Sequence, residues 1–449
     1  MKTNGGGEPV EKEKTTLRPL HGLTNLYIVL LFTLFLFGTG SDGYAAIQQA
    51  KTALFYRLSG GYLLLLLLLT AEEWLIGKLR PADLKALAAK IGLPQKLVLL
   101  YWGLTVISTL LSEYRSAAVL GMSRDEGLLT ISLYCAVFLC VSVLAQPGRW
   151  LGRVIGGSMT VFSIFCLVQM AGHDPLDLFP EGLTYWDANI KFAGAYLGTT
   201  GNAGLTAAVL CMTFPVLLGL AILGKDQWRW LYLIPAGLVL YVLVRSEIEA
   251  GLLGVALGMV LSLPVFLPRG SRWRRYAAAL IALCLLAGLA YIYFFPAEYG
   301  TLREVNRILH GEWNPNFGNG RVLIWQNVLK KVPEHLWFGT GPDTMAAYGI
   351  EGLWWQPADG SVHVDMGIDT AHNEYLNILF HQGLPALLAY LAALLVSAIR
   401  WVKSRDPMAV ACGAGVLCYS IQACFGISMH IAAAFFWVLW ALLINRWDM

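Results

Sequence analysis

Long apolar runs alternate with short polar connections along most of this chain. The runs fall near 24–40, 58–76, 97–112, 127–145, 154–172, 201–223, 230–246, 250–267, 277–295, 383–399, 408–426 and 429–444, and the second includes seven consecutive leucines, Leu63 to Leu69. Each is close to the roughly 20 apolar residues that a helical membrane span takes. The pattern predicts an all-α, polytopic membrane protein with about twelve transmembrane helices. It also predicts one large extracytoplasmic loop carrying amphipathic helices, because Pro296 to Gln382 contains no credible span.

Composition narrows the class. Of 449 residues, 57% are hydrophobic and 14% charged, against roughly 25% charged in a soluble domain. A soluble globular enzyme, a disordered chain and a disulfide-stapled secreted domain are all excluded. The net charge of +3 comes from 32 Lys+Arg and 29 Asp+Glu, a balance that does not suggest a nucleic-acid partner. All eight cysteines sit inside apolar stretches without CxxC spacing, so they read as small hydrophobes. The polar N-terminal tail, Lys2 to Thr16, precedes a long apolar run with no small-residue cleavage site. The run Tyr27 to Phe37 therefore reads as a retained first span.

Positive charge orients the chain. With both termini in the cytoplasm, five short inner loops carry sixteen basic residues, among them Lys78, Arg149, Lys225, Arg272 and Arg400. The short outer loops carry six: Lys51, Arg57, Arg115, Arg124, Lys191 and Arg245. This is the positive-inside bias of a multi-pass membrane protein. The expected domains are 1–24, a cytoplasmic polar tail; 25–295, transmembrane helices one to nine; 296–382, the large extracytoplasmic loop with catalytic motifs; and 383–449, transmembrane helices ten to twelve.

The outer loop invites closer reading, since loops longer than about 15 residues are uncommon unless functional or disordered. This one holds Trp313, Trp325, Trp337, Trp354 and Trp355, too many aromatics for disorder. It also holds five of the eight histidines: His310, His335, His363, His372 and His381. Gly320 to Val332 predicts a helix capped by Asn319 and stopped by Pro333, with Arg321, Trp325, Val328, Leu329 and Val332 on one face. Such a helix would lie along the membrane surface, apolar face down. Arg321 in its first turn suits an anion such as phosphate, or alternatively snorkels to lipid headgroups. In the segment Ala371 to Pro385, His372 stands just before an apolar helix. It could accept a proton from a hydroxyl with Asn373 or Glu374 orienting it, or could simply cap the helix. His372 and His381 are too far apart along a helix to share a metal ion.

These segments resemble a known family. GRVLIW, then PEHLWFGTGPDT, then HNEYLNILFHQGLP are similar, in order, to the signature region of the O-antigen ligase and Wzy polymerase superfamily. The matching positions are Arg321 with Trp325, the turn Gly339, Gly341 and Pro342, and His372 with Asn373, followed by Gly383 eleven residues after the His. The resemblance implies a membrane glycosyltransferase that moves a glycan from an undecaprenyl (polyprenyl) diphosphate carrier to an acceptor on the outer face of the cytoplasmic membrane. No metal or nucleotide cofactor is implied. The implied partners are a lipid-linked oligosaccharide donor, a glycan, lipid or protein acceptor, and membrane lipids. His372 takes the place of the family's general base and Arg321 that of its diphosphate-gripping arginine.

The chain departs from the family pattern once. Where members carry a second arginine, in a turn between the seventh and eighth spans, this sequence reads RSEIEAGLLG from Arg245 and places Glu249. Arg245, four residues earlier, could substitute from the same helix face, or could pair with Glu249 at i,i+4. Arg303 and Arg307 are reserve candidates. Asn202 stands where an Asn-rich turn is often found, although capping explains it equally well. The segment His173 to Asp187 reads as a solvated loop. A Wzy-type repeat-unit polymerase would use the same residues with a different acceptor. A lipid-glycan transporter or flippase would need midplane charges that are poorly placed here, and a catalytically silent scaffold is a third reading.

Overall fold

The computed structural model describes residues 17–179, 196–268, 270–318, 320–355 and 363–445, with backbone alone for 352–355 and 363–366. The N-terminal tail to Thr16, Asn319, Lys191, and the end of the His173 to Asp187 segment lie outside the described residues. In chain order the helices are α1 (Arg18–Leu30), α2 (Ile47–Leu75), α3 (Pro81–Ala89), α4 (Leu93–Leu111), α5 (Arg115–Leu120), α6 (Leu128–Leu144), α7 (Arg149–Met170), α8 (Ala203–Leu223), α9 (Leu233–Arg245), α10 (Glu249–Phe266), α11 (Arg272–Phe294), α12 (Thr301–Leu309), α13 (Arg321–Lys331), α14 (Glu374–Gln382), α15 (Leu384–Lys403), α16 (Pro407–Gln422) and α17 (His430–Ile444).

Each of the twelve apolar runs coincides with a helix, but among the described residues seven helices are long and apolar enough to cross a membrane by length and composition. Three more apolar helices, α6, α16 and α17, are shorter. The expected count of twelve crossings is therefore met by helices but not by spanning length. The protein is a helical, multi-pass membrane protein.

One short ribbon accompanies the helices of this helical fold. Glu351–Trp355 (β1) and His363–Met366 (β2) form an antiparallel ribbon, pairing Glu351 with Met366 and Trp355 with His363. Its β-branched and aromatic residues suit a pleated edge better than a helix turn.

At the centre, α8 and α17 are buried along nearly their whole length. Helix α10 packs on α16 through Gly254 and Gly258; a Cβ at Gly258 would lie 2.5 Å from Cys418 Sγ. Small residues four apart let two backbones approach closely where no solvent drives them together. The chain of α1 continues through a π-turn, Leu31–Phe35, beyond which Lys51 Nζ donates to the carbonyls of Phe35 (2.6 Å) and Leu36 (2.9 Å). Lys51 is thus a buried helix-end partner on α2, not the exposed outer-loop charge that the sequence pattern suggested.

The loop segments before α15 build a small core of their own from Ile324, Val328, Val332, Met345, Ile350 and Phe380. The apolar face of α13 is covered by this core and does not lie free against a membrane. Leu329, expected on that face, points away and is exposed, while Ile324 takes the inner position. Helix α4 ties the loop down: Ser108 Oγ donates to the carbonyl of His381 (2.7 Å) and Ser112 Oγ to that of Thr340 (2.5 Å).

Candidate functional site

The site begins where α13 begins. Gly320, at φ 78°, turns the chain into the helix and leaves Arg321 as its first residue. One guanidinium nitrogen, Nη1, donates to the carbonyl of Gly318 at 3.2 Å, whereas buried Nε has no hydrogen-bond partner. Among the described residues Arg321 forms no ion pair. Burial makes its proton easier to lose, and the charge of Glu249 opposes that effect.

One turn along α13, Trp325 Nε1 donates to the carbonyl of Ala371 at 2.9 Å. This contact fastens the helix that starts at Arg321 to the strap that carries His372. The strap is pinned again by Asn377, whose Oδ1 accepts from the Ala371 N–H (2.8 Å) and whose Nδ2 donates to Thr370 Oγ1 (2.9 Å). His372 itself sits at φ 50°, in the left-handed region that non-glycine residues enter rarely and at a cost. Its half-buried imidazole makes no hydrogen bond among the described residues. Burial, with the positive fields of Arg321 and Arg124, pushes its pKa down to about 4, and Asp369 opposes this. The ring is therefore neutral across ordinary pH and free to accept a proton.

Asn373 does not orient His372. Its side chain caps α14, accepting from the Leu376 N–H at 3.0 Å. Glu374 is buried and accepts from the Tyr390 hydroxyl at 2.5 Å, so it does not orient His372 either. The glycine turn positions the whole assembly. Gly339, at φ 68°, lies so close to the end of α14 that a Cβ there would sit 2.3 Å from the His381 carbonyl. Thr340 N and Gly341 N donate to the carbonyls of Phe380 (3.0 Å) and His381 (2.9 Å).

Sequence reasoning did not single out Arg124 and Asp343. The Asp343 carboxylate accepts from the backbone N–H groups of Ser123 (3.1 Å), Arg124 (2.8 Å) and Glu126 (3.4 Å). Burial nevertheless raises its pKa to about 6. The turn so held aims Arg124 at Asp369, with both guanidinium-to-carboxylate contacts at 2.8 Å. No local pattern pairs Arg124 with a residue 245 positions away. The only hint was a charged cluster, Arg124-Asp125-Glu126, in a short loop.

The remaining candidates are placed as follows. Arg245 is exposed at the last residue of α9, near Tyr196. Helix α9 ends there and α10 starts at Glu249, with Glu247 at φ 57° between them. The i,i+4 relation assumed for Arg245 and Glu249 is broken by this turn. Asn202 caps α8, accepting from Leu205 N at 3.1 Å. Arg307 pairs with Glu312 at 3.3 Å, and Arg303 donates to the carbonyl of Glu298 at 3.1 Å.

The fold and site together define a multi-pass membrane protein in which a neutral histidine and two arginines are gathered by soluble-loop segments. Residues 234–391 match the family model described as O-antigen ligase. This region contains the segments quoted above, and over it the chain is similar to the O-antigen ligase and Wzy superfamily. No curated protein matches the chain.

Proposed function

We propose that this protein is a membrane glycosyltransferase acting in the manner of an O-antigen ligase. It moves a glycan from an undecaprenyl diphosphate carrier to an acceptor hydroxyl on the outer face of a bacterial cytoplasmic membrane, both termini being cytoplasmic. The observation that carries this reading is the neutral, unengaged His372 imidazole within the fields of two arginines. A nucleophilic hydroxyl needs a base, and a departing diphosphate needs fixed positive charge.

In this scheme His372 takes the proton of the acceptor hydroxyl as its oxygen bonds to the anomeric carbon. The bond from that carbon to the diphosphate oxygen breaks, and the new negative charge falls on the leaving diphosphate. Arg321 receives it with a guanidinium that holds no ion pair among the described residues and sits at a helix start. Arg245 is the second candidate for the diphosphate, since it lies at the same end of the α9–α10 hairpin as Glu249, whose charge reaches Arg321. Trp325, Asn373, Gly339 and Gly341 hold the geometry, and Asn202 supports α8.

The test is transfer from a polyprenyl-diphosphate oligosaccharide by the purified chain in nanodiscs. His372→Ala and Arg321→Ala are expected to lower the rate by at least about a hundredfold, with membrane insertion unchanged. Full activity in either variant overturns the assignment. Products that grow by whole repeat units would identify a polymerase, and a single transfer to a lipid, glycan or protein a ligase.

A further inference from the structure

A cavity of about 80 Å³ lies between α4, α6, α14, α15 and α17, next to Asp369 and Thr370 of the strap that carries His372. Thr370 and Asn377, which flank and pin that strap, form part of its wall. Its partly exposed members include the Arg124–Asp369 ion pair, which marks its mouth, and Arg124 is one of the two arginines whose field reaches His372.

Deep inside stand three polar atoms that have no hydrogen-bond partner among the described residues: His381 Nε2, Gln382 Oε1 and Glu374 Oε2. Their residues are 7%, 4% and 8% exposed. Burying an unpaired acceptor is costly, and native interiors avoid it unless something else supplies the missing donor. The three share one character. A carboxylate oxygen and an amide oxygen accept hydrogen bonds. So does the Nε2 of His381 when that nitrogen is unprotonated, and burial keeps the ring neutral by lowering its pKa to about 4. Tyr134 and Trp437, whose rings stack 5.7 Å apart at 13°, also line the cavity. Acceptors and flat aromatic rings lining one cavity suit a ligand with hydroxyl donors and apolar C–H faces. The volume equals that of two to three waters at about 30 Å³ each, room for the end of a sugar but not for a whole ring.

We infer that this cavity seats the acceptor, taking the terminal vicinal hydroxyls of a saccharide, which donate to Gln382, His381 and Glu374. The reacting hydroxyl then stays at the mouth, beside Arg124 and toward His372. The inference rests on the glycosyltransferase reading and adds to it the residues that select the acceptor.

The experiment uses the full chain in nanodiscs and methyl β-D-glucopyranoside as the probe, with binding read by saturation-transfer NMR and stability by thermal unfolding. The wild-type chain is expected to bind the probe saturably. Gln382→Leu, which removes one unpaired acceptor at similar volume, is expected to weaken binding about fivefold while leaving the melting temperature equal or higher. Should Gln382→Leu fail to fold, Glu374→Gln keeps the Tyr390 contact and is expected to weaken binding to a similar degree. Absence of probe binding, or equal affinity in wild type and variant, means that water alone fills the cavity and overturns the inference. A transfer assay on the wild-type chain and on Gln382→Leu separates the two claims. No transfer by the wild-type chain sinks the glycosyltransferase reading whatever the cavity binds, while wild-type transfer together with equal probe affinity in wild type and Gln382→Leu sinks the acceptor seat alone.

Discussion

His372 holds an uncommon backbone conformation at φ 50°, and such strain persists only where neighbours over-determine it. Asn377 is one of those neighbours, since both halves of its amide bond the strap. Asn377→Ala is expected to lower transfer about tenfold by releasing the strap, whereas Asn377→Asp, which keeps the acceptor for Ala371 N–H, should recover part of the rate. A merely structural effect would appear as an equal loss of thermal stability in both variants. The pH profile supplies a second check. With a pKa of about 4, the ring is a ready base above that value and is lost as one below it. The rate should be flat from about pH 6 to 8 and decline only as pH falls toward 4. The sign for stability is the same: an unfolded histidine titrates near 6.5, so the neutral buried ring contributes stability that is present above about pH 6.5 and is lost as pH falls toward 4. His372 and Arg321 were legible as residues from their motifs. Asn377 was not, because nothing local distinguishes an asparagine that bonds six residues back from one that faces solvent.

At the scale of elements, the helix from Arg321 was legible in extent but not in the direction of its face. Leu329 fits the apolar stripe by spacing, yet Ile324 is the residue turned inward. The reason is that the face is chosen by Met345, Ile350 and Phe380, which arrive from elsewhere in the chain. Helix α14 meets the glycine turn through close backbone contacts, and this makes Gly339 a sharp test. Gly339→Ala adds a Cβ 2.3 Å from the His381 carbonyl carbon and oxygen at a positive φ. The expected cost exceeds about 2 kcal/mol and should appear as loss of folded protein or a lowered melting temperature. Trp325→Phe is milder. It removes the hydrogen bond to Ala371 while keeping most of the ring, so a rate loss of several-fold with near-normal stability is expected.

At the scale of the whole molecule, twelve apolar runs became helices, but among the described residues seven reach spanning length on their own. Shorter ones such as α17 are apolar on every side because protein surrounds them, and hydropathy does not distinguish that from lipid. The orientation read from basic residues can be tested by accessibility. A cysteine placed at exposed Lys331 should react with a membrane-impermeant maleimide in intact cells, and one at Arg274 should not. The reverse pattern would invert the topology and put His372 on the wrong side for an outer-face reaction.

Sequence alone determined the membrane class, the resemblance to a family and the two residues proposed for the chemistry, because hydropathy and short motifs are local properties that survive without a fold. The tertiary structure decided what surrounds those residues. It brought Arg124 and Asp343 to the site and tied Trp325 to Ala371. It also broke the helix between Arg245 and Glu249, and gathered three unpaired acceptors into one cavity. Each of these depends on long-range packing, where the free energy of burying a surface chooses partners that no spacing along the chain records.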